Sequence, residues 1–282
     1  MLGLLLGTLG AVTARADDGG AVERRLSGEE QVAESRFVIT PHKPNYLLPL
    51  TYDSKLRDDD PALDNAEIKF QLSFKIPLTE RLLNTRSRLY FAYTQVSFFQ
   101  AYNSDSSAPF RETNYEPEVF WLLPTEWPVL GMTHRLLAIG VSHQSNGRSL
   151  PDSRSWNRVY ANFVLARGDF YLSLRPWYRI PEDEKESPTD ARGDDNPDIE
   201  DYLGNGELRL VWLHRGHSLS LMLRSNLDST ANRGAVQIDW GIPLGGKLRG
   251  YVQVFNGYGE SLIDYNRYRN RIGVGVMLTD WL

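Results

Sequence analysis

His143 and Ser145 stand two residues apart in a stretch, Arg135–Ser145, whose apolar and polar residues alternate as on a β-strand. Residues i and i+2 of a strand share a face and lie ~6.6 Å apart, which puts the imidazole and the hydroxyl within hydrogen-bonding reach. The next alternating run opens at Asn157. If the two runs are antiparallel neighbours joined by the loop Asn146–Trp156, Asn157 lies across from the pair at ~5 Å. Three such groups can carry out acyl transfer. Ser145 would attack an ester carbonyl, His143 would take and return the proton, and Asn157 would orient the imidazole by accepting a hydrogen bond. The backbone N–H of Gly147, just beyond the nucleophile, is a candidate oxyanion donor.

The company these residues keep is unusual for a polar site. Leu137, Ile139 and Val141 share the parity of His143 and Ser145, and Val159, Ala161, Phe163 and Leu165 share that of Asn157. All three candidates therefore fall on oily faces, where a neutral amide costs less than an isolated carboxylate. In the loop, the Arg148 carbonyl and the Ser153 hydroxyl could hold a hard cation such as Ca²⁺, which accepts neutral oxygens and water. Without carboxylates that site is weak and needs completion from elsewhere. A simpler reading stands beside this one. His-x-Ser is common on strands, Asn146-Gly147-Arg148-Ser149 reads equally well as a turn, and Ser149, Ser153 and Ser155 as loop solubilisers. No G-x-S-x-G elbow is present, which excludes the α/β-hydrolase arrangement.

The elements that must position these groups belong to a chain of 282 residues without cysteine, so disulfides, thiolate metal sites and cysteine nucleophiles are excluded. A net charge of -5 with a pI near 5.6 argues against a nucleic-acid partner. Residues 1–16 read as a secretory signal: a short apolar run from Leu2 to Val12, then Ala14-Arg15-Ala16, with cleavage expected after Ala16. No Lys or Arg precedes the apolar run. Residues 17–44 are polar and weakly periodic, and would either cross the periplasm or plug one end of a barrel. Beyond the signal no window approaches twenty apolar residues, which excludes membrane-spanning helices but not a membrane β-barrel.

Residues 45–282 are the expected barrel, and from Glu67 onward the period is two. Ile68, Phe70, Leu72, Phe74 and Ile76 alternate with Lys69, Gln71, Ser73 and Lys75, giving one oily and one wet face. Ten similar runs follow, among them Tyr115–Leu123, Asn157–Leu165 and Tyr202–Leu213. A closed bacterial barrel needs an even number, and the ambiguous stretch Tyr46–Tyr52 supplies a twelfth. Tight turns such as Arg167-Gly168-Asp169 alternate with long polar loops such as Pro181–Asp201. Aromatic residues near strand ends, including Phe98, Trp121, Trp127, Trp177, Tyr178, Trp212, Trp240 and Trp281, are candidates for interfacial girdles. A soluble β-sandwich also alternates, with its apolar set inward, and parity alone leaves the two open.

The segments His143–Ser149 and Asp152–Arg158, together with Pro109–Pro117, Asp195–Ile199 and Gly257–Asn266, closely resemble the bacterial outer membrane phospholipase A family over most of the chain after Pro41. The resemblance implies an all-β protein, a twelve-stranded antiparallel transmembrane β-barrel of the outer membrane, with a Ser-His-Asn triad on its lipid-facing exterior. It implies a homodimer that is active with calcium and a monomer that is dormant. The nucleophile falls on Ser145, the base on His143 and the orienting amide on Asn157. The calcium ligands fall on the Arg148 carbonyl and Ser153 hydroxyl of one subunit and on Ser107 of the other, with Ser106 the adjacent alternative. Gln95 matches a polar dimer contact. Its parity places it toward lipid with Leu89, Phe91 and Tyr93, whereas a lumen-facing glutamine is the rival placement. Leu150 departs from the family by standing where an acidic residue can serve a secondary cation site. The expected activity is calcium-dependent hydrolysis of sn-1 and sn-2 acyl esters of glycerophospholipids and of lysophospholipids. The alternative is a porin-like or structural barrel without catalysis.

Overall fold

The computed structural model describes residues 20–32, 39–79, 82, 85–187, 189–190, 192–246 and 248–280. The expected signal segment and Trp281 lie outside them. Twelve strands form the wall: β1 Asn45–Asp53, β2 Ala66–Pro77, β3 Arg88–Phe99, β4 Phe110–Val129, β5 Met132–Ser145, β6 Ser155–Arg167, β7 Phe170–Ile180, β8 Gly206–His214, β9 His217–Ser225, β10 Gly234–Pro243, β11 Arg249–Gly257 and β12 Arg269–Thr279. Each pairs antiparallel with its neighbours in the chain, and β12 pairs with β1 through partners such as Ile272 and Tyr52, which closes the barrel. A further bridge, Thr40–Pro41, leans on β2. The ambiguous Tyr46–Tyr52 run is thus the closing strand β1.

Which face is inside settles the choice between sandwich and barrel. Glu67, Lys69, Glu118, Arg158, Arg209, Asp239, Gln253 and Arg271 are buried, whereas Leu72, Val119, Ile139, Val141, Val159, Leu174, Ile238 and Val274 are exposed. An apolar exterior around a polar interior is the order required by lipid, not by water. Buried charges are stable only when paired, and here they form a network. Arg111 reaches Glu67 at 2.9 Å and Asp264 at 2.5 Å, and Arg271 reaches Glu67 at 2.8 Å and Glu260 at 2.9 Å. Lower in the lumen, Lys43 meets Glu116 at 2.5 Å, Arg158 meets Glu116 at 2.8 Å and Arg175 meets Glu118 at 2.7 Å. These side chains line the interior and occupy much of it.

Three departures from the sequence reading have local causes. The strand expected over Tyr115–Leu123 runs from Phe110 to Val129, because a register shift between Pro124 and Trp127 accommodates the prolines. It then turns through Leu130 and Gly131, whose positive φ of 49° and 76° suit a tight hairpin. Tyr202 lies in a short helix, not in a strand, and β8 begins only at Gly206. Phe98 and Trp177 point inward, away from any girdle. The Phe98 ring lies under Arg111, Lys69 and Arg271, with the cations 4.8–5.3 Å from its centroid.

Helical segments lie at both barrel ends. Helix α1 (Ala21–Val32) falls in the segment to which the sequence assigned no fold. Its first turn sits at the short-turn end, where Ala21 N–H donates to Tyr171 Oη at 2.7 Å and Val22 packs on Ala166, Tyr171 and Val211. A single-turn helix α2 (Leu56–Asp59) and another, α3 (Glu200–Leu203), belong to the long-loop end. There Trp156, Trp177, Ile199, Leu203, Leu262 and Tyr265 form one apolar cluster over the lumen.

Candidate active site on the outer wall

The β5–β6 hairpin builds the site. Its register places His143 directly opposite Asn157, and Ser145 opposite Ser155. The connecting loop is held by one buried side chain, Asn146, whose Oδ1 accepts the N–H groups of Arg148 at 3.3 Å and Arg154 at 3.0 Å while its Nδ2 donates to the Asp152 carbonyl at 2.9 Å. The Asn-Gly turn chemistry and the catalytic reading are therefore compatible, since the turn is what fixes the groups around it.

His143 Nδ1 and Asn157 Oδ1 are 2.9 Å apart. Asn157 Nδ2 donates in turn to Glu182 Oε1 at 3.2 Å. With the amide NH₂ committed to a carboxylate, the Asn157 oxygen faces the ring, where it can only accept, so the contact is Nδ1–H donating to Oδ1. Ser145 shares the outward parity of His143, one side-chain position along, and its Oγ makes no hydrogen bond among the described residues. The structure thus joins the candidate base and the candidate orienting amide, with the candidate hydroxyl on the same face and the third contact not closed. Gly147 adopts φ of +65°, and a Cβ there would meet the Tyr115 ring at 3.2 Å. Its N–H has no acceptor among the described residues.

The face is the membrane face. Val141, His143 and Val159 are exposed, while Ser142, Trp156 and Arg158 between them are buried toward the lumen. Two cavities of about 180 Å³ lie inside the barrel, and neither is lined by His143, Ser145 or Asn157. The three candidate residues therefore lie on the outer wall and not in the lumen.

The candidate cation ligands sit in two loops at the same end. Arg148 is anchored by its guanidinium, which reaches Glu112 at 3.1 Å and also the Arg111 carbonyl, so its own carbonyl is fixed in the loop. Ser153 Oγ donates to Asp195 Oδ2 at 2.5 Å. A hydroxyl whose proton is committed to a carboxylate turns lone pairs outward, and the carboxylate adds negative charge behind it, so this donor set fits a hard cation. Among the described residues no group of three His, Cys, Asp or Glu side chains comes together as a metal site. Ser107 has φ of +59° and makes no side-chain hydrogen bond among the described residues, whereas Ser106 Oγ donates to the Ala62 carbonyl at 3.4 Å. No contact within the described residues links either serine to Arg148 or Ser153. Gln95 is on the outer face, with its buried neighbours Thr94 and Phe98 turned inward, and it bonds Tyr93 Oη and Ser97 Oγ, each at 3.1 Å.

Two residues that hydrogen-bond the candidate site escaped the sequence reading of its chemistry. Asp195 lies in a segment singled out only for its resemblance. Glu182 carried no signal at all, because it belongs to an aperiodic loop that folds back onto the hairpin. Ser155 N–H donates to Asn196 Oδ1 at 3.0 Å and holds that loop in place.

A closed antiparallel barrel, oily outside and charged inside, is an outer-membrane protein, and a His–Asn pair with a serine on its outer wall is a group set of the kind acyl hydrolases use. The family model of phospholipase A1 matches residues 22–278. Phospholipase A1 of Escherichia coli K12 is 39% identical over 257 residues, covering 89% of this chain and 84% of the relative, and that of Klebsiella pneumoniae is 40% identical over 255 residues, covering 88% and 84%. Among solved structures, outer membrane phospholipase A from Escherichia coli superimposes with a TM-score of 0.81 at 37% identity, over 91% of this chain and 98% of that one. The Salmonella typhi outer membrane phospholipase, solved as a dimer with bound calcium, gives 0.79 at 36%, over 90% and 98%. This chain belongs to the phospholipase A1 family. It is an outer-membrane enzyme, a phospholipase, and not a passive porin.

Proposed function

We propose that the enzyme hydrolyses sn-1 and sn-2 acyl esters of glycerophospholipids, and those of lysophospholipids, through Ser145, His143 and Asn157, with Ca²⁺ and as a homodimer. The observation that carries this reading is the 2.9 Å His143–Asn157 contact on the lipid-facing wall. The Escherichia coli relative has also been solved as an active-site mutant with asparagine replaced by alanine, which supports an asparagine in this role.

In the first half-reaction Ser145 Oγ bonds to the ester carbonyl carbon while His143 Nε2 takes its proton, and the imidazolium is stabilised through Nδ1–H donated to Asn157 Oδ1. The tetrahedral oxyanion receives the Gly147 N–H. Collapse breaks the bond from acyl carbon to alcohol oxygen, and His143 returns the proton to the leaving lysophospholipid. Water then attacks the acyl-serine, His143 again holds the proton, and fatty acid leaves as Ser145 regains it. The Arg148 carbonyl and Ser153 hydroxyl would hold calcium together with the partner subunit's Ser107. Bound there, the ion supplies positive charge for the developing oxyanion.

Dimerisation is the control. A second barrel set against the wall site would bring Ser107, engage Gln95 and form an acyl channel. Phospholipid that binds only the dimer draws the equilibrium toward it, leaving the monomer dormant. Fatty-acid release from mixed micelles by purified protein, with calcium and with chelator, tests the reading. Release that is unaffected by chelator, or undiminished in Ser145→Ala, would overturn it.

A further inference from the structure

We propose that Glu182 is a positioning residue of the site: by accepting a hydrogen bond from Asn157 Nδ2, its carboxylate selects the amide orientation that turns Oδ1 toward His143. The inference rests on the triad reading above and extends it to a fourth group.

The placement follows from register. Asn157 on β6 pairs with Ile180 on β7, and the residue two beyond Ile180 continues the same face, diagonal to Asn157. Position 182 is that residue, the second after β7 ends. The loop is braced around it: Arg179 bonds Asp194 at 2.6 Å and the Pro197 carbonyl at 3.1 Å, and Asp194 N–H donates to the Asp183 carbonyl at 2.8 Å. Glu182 Oε1 then lies 3.2 Å from Asn157 Nδ2.

An asparagine amide has two ends of nearly equal size and opposite hydrogen-bonding sense. Presented the wrong way round, it would donate to His143 Nδ1, place the ring hydrogen on Nε2 and remove the base. A carboxylate only accepts, so Glu182 can pair with Nδ2 and not with Oδ1. Its charge sits one group behind the amide, where it favours the imidazolium formed during catalysis. It also sits in a polar loop past the strand end, where water reaches it, and not among the lipid-facing side chains. The titratable and charged groups around it are Asp194, Arg179 and His143; burial and Asp194 push its carboxyl up from the usual range, against the opposing pull of Arg179 and the Asn157 bond.

The test is a substitution series in the fatty-acid release assay with calcium, with folding checked by circular dichroism. Glu182→Ala should lower kcat about three- to tenfold with KM unchanged, the cost of one hydrogen bond to an orienting group. Glu182→Gln, which can still accept from Nδ2, should lose less. Asn157→Asp should lower kcat about tenfold or more above neutral pH, because two adjacent carboxylates cannot both ionise without cost. Combining Asn157→Asp with Glu182→Gln should restore kcat to within about threefold of wild type, since the amide introduced at position 182 would donate to the new carboxylate. A scaffold role for the loop would give no such reciprocal rescue. Wild-type kcat in Glu182→Ala, or absence of rescue in the double variant, overturns the inference. An inactive Ser145→Ala beside an unresponsive Glu182 series would remove Glu182 alone; an active Ser145→Ala would remove the triad and Glu182 with it.

Discussion

Ser153 Oγ donates to Asp195 Oδ2 across 2.5 Å, tying the hairpin loop that follows Ser145 to the loop that follows β7. Lys185 holds the other oxygen of the same carboxylate at 2.5 Å. Asp195 therefore sets both the direction and the electron density of a hydroxyl proposed to ligate calcium. Asp195→Asn should raise the calcium concentration for half-maximal fatty-acid release about tenfold, the usual cost of losing an outer-shell carboxylate, with the rate at saturating calcium much less affected. A calcium titration of the variant checks it, and an unchanged midpoint would count against Ser153 as a ligand.

Ser145→Ala should abolish turnover, with a loss of about 10³-fold or more, since no other group can form the acyl intermediate. Asn157→Ala should be milder, about ten- to hundredfold in kcat, because a neutral amide orients the ring without adding charge. Neither change should shift the thermal midpoint measurably, as both side chains lie on the outer wall and fill no cavity. Parallel initial-rate and melting measurements separate the two effects.

Gln95 presents a polar side chain on the outer face, satisfied within the chain by Tyr93 and Ser97. Gln95→Ala should weaken the dimer by about 0.6 kcal/mol per contact, on the order of threefold in dissociation constant. Crosslinking yield against protein-to-detergent ratio, with calcium and a substrate analogue, reads this directly. A yield identical to wild type would remove Gln95 from the interface.

Acid should loosen the loop between β11 and β12 before the barrel wall. Burial pushes the Glu260 carboxyl up, but Arg271 and Lys69 outweigh it and hold it at about 2, below the ordinary 4.5. Asp264 is likewise held below the ordinary 3.8, where Arg111 and Arg269 outweigh the opposing effect of burial. Both groups bind protons less readily folded than unfolded, so their contribution is complete above about pH 4.5 and is lost as pH falls toward 2. The Leu262 and Ile263 amides, which donate to Asn114 and Glu112, should accordingly exchange faster with solvent between about pH 4 and about pH 2 than expected from intrinsic rates. Hydrogen exchange monitored by mass spectrometry over that range measures it.

The period of two in residues such as Ile68–Ile76 determined the strands, and the parity of His143, Ser145 and Asn157 determined that they share an oily face, because side-chain alternation is a local property of extended backbone. The Asn146-Gly147 pair marked a turn between the two runs, while their pairing as neighbours waited for the structure. Parity does not say which face is inside, so the choice between sandwich and barrel waited for the pairing of β12 with β1 and for the buried ion pairs of Glu67, Arg111 and Arg271. Pro124 and Pro128 hid the end of β4, since a bulge depends on the partner strand as well as on the proline. Glu182 and Asp195 could not be placed from the sequence at all. They reach Asn157 and Ser153 from 25 and 42 residues away, through a loop with no period to read, and only the closure of β6 on β7 and the bracing around Arg179 bring carboxylates to a site whose local sequence contains none positioned to serve it.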